Sequence, residues 1–401
     1  MRIIAGDGQK RTEIPVSLEY ETPANSLKAK SNKGNPNTTE ASAARTHETS
    51  TSSSFTGVDI SQYTPMKIKA KLDEYVIGQE RAKRALSVAA YTHYQRITQS
   101  ARRSVDLGKS NILLMGPTGC GKTYLIKTLA KILNTPIAIA DATALTATGY
   151  VGNDVEDILM HLIRAADGDI KRAQQGIVYI DEIDKIAART SADRLDIGGE
   201  GVQQALLKLI EGTVTDILTD KHHSDATIQI DTSQILFICG GAFAGIQEIV
   251  ETRIRNETSD TPSDVPERFD YSTVTTDDLV RFGMIPEFIG RLPVLACLDS
   301  LDEKALVRIL TEPNDALCKE FEARLSLNHH TLKFEQNALK EIARLALRKN
   351  TGARALRTIC EDVLGSILYE APEWKPSVIT ITKGCVVNGD DPKVILKADT
   401  E

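Results

Sequence analysis

Apolar positions along this chain repeat with two different periods, and the changes of period mark out its parts. Between Glu80 and about Ser100, Ala82, Ala85, Leu86, Ala89 and Ala90 recur at helical spacing, which predicts a helix with one buried face. Short apolar runs follow at Ile112–Met115, Pro136–Ala140, Ile177–Asp181, Ile235–Cys239 and Leu292–Leu298, separated by helical stretches. Strands alternating with helices over this length predict an α/β fold, a parallel sheet covered by helices on both faces. From Asp299 the pattern shifts to helices over 302–326, 335–349 and 353–370, then short strands near Val378–Thr382 and Val394–Leu396. A smaller, mostly helical α+β domain is expected there.

The beginning of the chain reads differently. From Asn37 to Thr56, 11 of 20 residues are Ser or Thr, which leaves too little apolar surface to offset backbone entropy. The expected organisation is a disordered Ser/Thr-rich region over 1–62, a large domain over 63–298 and a small C-terminal domain over 299–401.

Composition narrows the function. With 48 Lys and Arg against 55 Asp and Glu, the net charge of −7 argues against a protein built to hold nucleic acid. No run approaches the ~20 apolar residues that cross a bilayer, so no membrane partner is expected. The opening Met1-Arg-Ile-Ile-Ala-Gly-Asp7 lacks the apolar core of a secretory signal, and a cytoplasmic location is expected. The six cysteines (Cys120, Cys239, Cys297, Cys318, Cys360, Cys385) form no Cys-x-x-Cys pair, and the adjacent pairs His222-His223 and His329-His330 do not have metal-ligand spacing. No zinc is expected.

The densest chemical signal is Gly116-Pro117-Thr118-Gly119-Cys120-Gly121-Lys122-Thr123, a phosphate-binding loop in every defined position. Its glycines let backbone N–H groups turn toward phosphates. Lys122 can reach the β- and γ-phosphates, and the Thr123 hydroxyl can ligate Mg²⁺. A predicted strand precedes the loop. A helix beginning near Tyr124 follows, and its N-terminus favours an anion. Further on, Ile177-Val-Tyr-Ile-Asp181-Glu182 ends an apolar strand with two acids. Asp181 is placed to hold Mg²⁺, and Glu182 to orient and deprotonate the attacking water. ATP and Mg²⁺ are the expected ligands, and hydrolysis the expected reaction.

From about Leu72 to Arg357 the chain resembles the ClpX family of AAA+ ATPases. The resemblance is carried by Val76-Ile-Gly-Gln-Glu-Arg-Ala-Lys83, Gly149-Tyr-Val-Gly152, Ile177–Ile186, Gly201-Val-Gln-Gln-Ala-Leu-Leu-Lys-Leu-Ile-Glu-Gly212, Phe282–Val294 and Gly352-Ala-Arg-Ala-Leu-Arg357. It implies an AAA+ P-loop large domain and a small helical one, assembled as a homohexameric ring that threads protein substrates through a central pore. It further implies that Val76 and Ile77 clamp the adenine, and that Arg291 enters the neighbouring subunit's nucleotide site. Arg354 would sense the γ-phosphate in its own chain. Tyr150 and Val151 would grip the polypeptide, and Ala192–Glu200 would form a second pore loop.

Three departures qualify the resemblance. The family's four-cysteine zinc domain has no counterpart, because the first 119 residues hold no cysteine. The segment from Ile246 to Arg281 has no glycine, and around Asn256–Phe269 it is acidic and proline-containing, without the apolar-Gly-Phe hook. That argues against docking on a ClpP-type peptidase. At the pore entrance Asp220-Lys221-His222-His223 stands where the family carries Arg-Lys-His, so a shifted substrate preference is expected. The leading expectation is an ATP-driven unfoldase. An ATPase subunit of a ClpXP-type protease is the alternative, and a DNA-associated AAA+ motor ranks below both.

Overall fold

The structure, a computed structural model, describes residues 62–99, 108–146, 153–188, 190–191, 194–195, 197–220, 224–257, 269–349 and 351–397. All five apolar runs become neighbours in one sheet. Its strands, in spatial order, are Val294–Cys297, Ile112–Met115, Leu236–Gly241, Ile177–Asp181 and Ile137–Asp141, every pair parallel. These runs have no polar face because both faces are covered. On one side Ile112 and Leu114 pack with the helices Glu80–Gln99 and Lys122–Leu133; on the other Leu113 and Met115 pack with Asp157–Ala165 and Ile197–Glu211. The register puts Met115 beside Gly241 and Cys297, and Asp181 beside Asp141. The carboxyl ends of the strands therefore share one edge, where ligands of open parallel sheets gather.

The small domain packs Glu303–Thr311, Leu317–Ser326, Gln336–Arg348 and Arg354–Glu370 around Leu310, Phe321, Ile342 and Ile379. Its sheet runs Thr331–Phe334, Ser377–Ile381, Lys393–Leu396, the first pair parallel and the second antiparallel. The single helix expected over 302–326 is two, broken around Pro313, which has no N–H to continue the ladder. Two features go beyond the sequence expectation. One is the strand Thr331–Phe334. The other is the antiparallel hairpin of Val214–Asp220 with Ser224–Asp231.

Long-range polar contacts join the two domains. The Gln79 amide donates to the Asp299 carbonyl at 2.9 Å and accepts from the Asp299 N–H at 2.8 Å, so one side chain satisfies both backbone groups just after the last sheet strand. The Asn314 N–H donates to the Glu74 carbonyl at 3.0 Å. Buried Lys83 donates to the Val76 carbonyl at 3.1 Å and pairs with Asp73 and Glu80. That network removes the cost of an isolated buried charge and holds the Val76–Gln79 turn from below. No helix among the described residues is long and apolar enough to cross a membrane.

Candidate functional site

The phosphate loop leaves the strand at Met115 and re-enters helix at Lys122. Gly119 and Gly121 take φ of +79° and +100°, conformations that L side chains rarely adopt. Gly119 is also closed by contact. A Cβ there would lie 2.2 Å from the Thr351 carbonyl oxygen, and the Ala353 N–H donates to the Gly119 carbonyl at 3.1 Å. The loop is thus braced by the small domain. Lys122 Nζ folds back onto the Gly116 and Pro117 carbonyls at 2.6 and 3.2 Å, across the hollow of the loop.

Thr123 Oγ1 donates to Asp181 Oδ2 at 2.6 Å, which brings the two expected Mg²⁺ ligands together as a pair of hard oxygen donors. Asp181 Oδ1 accepts from the Tyr179 hydroxyl and the Glu182 N–H, each at 3.0 Å, so its carboxylate is fixed from three directions. Burial, with the Asp181 carboxylate beside it, pushes the Tyr179 phenol well above its usual range, and it stays a donor. Glu182 sits at φ 56°, ψ 33°, a left-handed conformation that is strained for a residue with a Cβ. Strain of this kind concentrates where a side chain must be presented at a strand end. The Asp184 carboxylate accepts from Ala242 N–H at 3.1 Å, tying this strand end to its neighbour.

Between the domains lies a cavity of about 600 Å³. Val76 and Ile77 form part of its wall, each 8% exposed, with Lys122, Thr123 and Tyr124 beneath and Arg354 on the small-domain side. The cavity lining combines apolar side chains such as Val76, Ile77, Leu301 and Ile309 with the cations Lys122, Lys127, Arg354 and Arg357. Tyr124 donates to both Asp315 oxygens at 2.7 and 2.8 Å across the domain boundary. Cys120 is buried, and burial pushes its thiol up, so it behaves as packing rather than as a nucleophile.

Arg291 is elsewhere. It does not line this cavity but lies on the surface, its guanidinium held by Glu211 through Nε at 2.9 Å and Nη2 at 2.8 Å. Tyr150 and Val151 lie outside the described residues, as do 258–268 of the segment read for peptidase docking and 221–223 of the pore-entrance string. Sequence reasoning missed Gln79, Asp315 and Arg357. Arg357 also lines the cavity and makes a bidentate pair with Glu320 at 3.1 and 2.6 Å. Only Gln79 and Arg357 carried a signal, each being part of a quoted string. Among the described residues no group of three or more His, Cys, Asp or Glu could hold a metal by itself.

A phosphate loop on a five-stranded parallel sheet, a strand-end Asp-Glu and a helical domain closing the cavity define a P-loop ATPase of the AAA+ class. Comparison with known proteins agrees. Residues 108–295 match the AAA domain (Cdc48 subfamily), and residues 301–373 match the C-terminal, D2-small domain, of ClpB protein. The chain is 47% identical over 346 residues to the ATP-dependent Clp protease ATP-binding subunit ClpX of Borrelia duttonii, covering 83% of this chain and 80% of the relative. It is 48% identical over 347 residues to that of Treponema denticola, covering 83% and 84%. The chain belongs to the ClpX family of AAA+ ATPases, ATP-dependent protein unfoldases.

Proposed function

We propose that six copies of this chain close into a ring in the cytoplasm and use ATP hydrolysis to pull polypeptide through a central pore. The observation that carries this reading is the separation of the two cationic groups. Lys122 and Arg354 flank a cavity built within one chain, whereas Arg291 stands on an outer surface, its guanidinium paired with Glu211. A guanidinium there reaches a γ-phosphate only if a neighbouring copy supplies the nucleotide.

In this reading Val76 and Ile77 bind the adenine by burial. The loop N–H groups and Lys122 bind the phosphates. Thr123 and Asp181 hold Mg²⁺, which when bound withdraws charge from the β- and γ-phosphate oxygens. Glu182, at the strand end, takes a proton from the attacking water. Arg354 registers the γ-phosphate for the small domain, and Tyr150-Val151 transmits the resulting motion to substrate. Domains bounded at 62/63 and 298/299, and a chain without zinc, complete the proposal. The test is a mixing experiment: Arg291→Ala subunits should regain ATPase when combined with Lys122→Ala subunits, and no recovery at any ratio would sink the trans assignment.

A second reading concerns the partner. The relatives are named subunits of an ATP-dependent Clp protease, which supports a peptidase partner here against the expectation drawn from the glycine-free 246–281 segment. Co-sedimentation of the ATP-bound protein with a ClpP-type peptidase, and loss of binding on deleting 256–270, would place the docking element in that segment. No complex in ATP would restore the earlier expectation.

A further inference from the structure

Arg291 and Glu211 are joined twice, once through side chains and once through the backbones that carry them. The guanidinium offers its Nε/Nη2 edge to one carboxylate oxygen of Glu211. Among the described residues Nη1 makes no recorded hydrogen bond. Beneath the pair, the buried Asn111 amide donates to the carbonyls of Ile210 at 3.4 Å and Arg291 at 3.1 Å. Lys109 Nζ donates to the same Ile210 carbonyl at 3.0 Å. Glu211 is the last residue of the helix Ile197–Glu211, whose first turn falls in the stretch read as a second pore loop. One end of that helix therefore meets Arg291, and the other points back along the chain to the pore segment.

We propose that Glu211 is a positioning residue for ATP hydrolysis: it fixes the Arg291 guanidinium by one edge, so that the other edge is presented to the γ-phosphate held by a neighbouring copy. The proposal rests on the trans reading of Arg291 given above. A guanidinium has five donors in a planar fork and can take two anions on two edges at once. Glu211 does not have to let go for Arg291 to act, so the pair orients the arginine instead of blocking it. Because Asn111 ties the Ile210 and Arg291 carbonyls, a shift of the helix Ile197–Glu211 moves the arginine with it.

The experiment is a double-mutant cycle of Glu211→Ala and Arg291→Ala, read as steady-state ATPase, with ring formation and nucleotide affinity measured on every variant. Glu211→Ala should lower kcat on the order of 10-fold with KM for ATP unchanged, the loss expected when a charge-assisted contact that orients a reacting group is removed. Glu211→Gln, which keeps an acceptor oxygen, should recover most of the loss. In the Arg291→Ala background, Glu211→Ala should change nothing further. An unchanged or raised kcat, or an equal further drop in that background, would overturn the proposal and leave the trans reading standing. Failure of Glu211→Ala to form rings would assign the pair to assembly and also overturn it. Wild-type turnover in Arg291→Ala alone would remove the trans reading, and this proposal with it.

Discussion

Around the nucleotide cavity several polar side chains are already engaged with their own chain: Lys122 with Gly116 and Pro117, Thr123 with Asp181, Tyr124 with Asp315. Arg291 and Glu211 lie at the other extreme, 56% and 42% exposed, their side chains paired with each other. An exposed ion pair of this kind adds little to stability, since water and salt screen it. Its arrangement is therefore better explained by use than by folding. The cavity is lined by one chain, whereas on the proposed reading the Arg291 surface acts only when a second chain arrives.

Mutational mixing tests that contrast directly. The largest effect is expected for Arg291→Ala, a loss in kcat on the order of 10³-fold by analogy with other arginine fingers, with ATP binding and ring formation retained. Activity should return when these subunits are mixed with Lys122→Ala. If Glu182 accepts the water's proton as proposed, Glu182→Gln should lower kcat by at least ~100-fold, again with ATP still bound. Here mixing with Lys122→Ala should restore nothing, since Lys122 and Glu182 serve the same nucleotide in the same chain. Complementation by Glu182→Gln would erase the distinction between the two regions.

A smaller effect should come from the seam between the domains. Gln79→Leu removes both hydrogen bonds to Asp299 at nearly constant volume. Two net hydrogen bonds of about 1 kcal/mol each should translate into ATP affinity weakened by up to roughly 30-fold, because the same turn carries Val76 and Ile77. Fluorescent-nucleotide titration reads this. Affinity within twofold of wild type would separate the clamp from the base pocket.

What the sequence disclosed follows the same division. The loop from Gly116 to Thr123 and the Asp181-Glu182 pair were legible because phosphate chemistry demands particular residues at fixed local spacing. The five sheet strands were legible because strands buried on both faces must be continuously apolar. The Gln79–Asp299 and Tyr124–Asp315 contacts were not, since each joins residues about two hundred positions apart and neither pair has a spacing rule. Glu211 was hidden for another reason. On a helix end it reads as one more solvated acid, and only the tertiary position of Arg291 gives it a partner. The break at Pro313 could have been read from proline alone, but the amphipathic pattern on both sides of it suggested one continuous helix.

The smallest predicted effect asks whether the two regions fail together in acid. His93 is fully buried in the helix Glu80–Gln99, with Nε2 3.0 Å from the Gln234 carbonyl oxygen and, among the described residues, no hydrogen-bond partner for Nδ1. Burial, aided by the nearby Arg96 and Lys109 cations, holds its pKa down at about 3 against an ordinary 6.5. In the unfolded chain the imidazole takes up a proton near pH 6.5, whereas in the folded chain it resists to about pH 3. The unfolded state therefore binds more protons across that window. The stability gained by keeping His93 neutral is whole above pH 6.5 and is lost as the pH falls toward 3, at about 1.4 kcal/mol per pH unit. Between pH 7.5 and 5.5 the Tm should fall by a few degrees, the shift expected for about that energy in a domain of this size. His93→Gln, which cannot take the proton, should flatten the slope. Lys109, the cation beside His93, also holds the Ile210 carbonyl next to Glu211. Because His93 stays neutral in the folded chain to about pH 3, ATP binding and trans-complementation should fall together, at the pH where the chain unfolds. An equal Tm slope in His93→Gln would show that another group carries the acid sensitivity, and loss of one activity well before the other would show a local titration in that region.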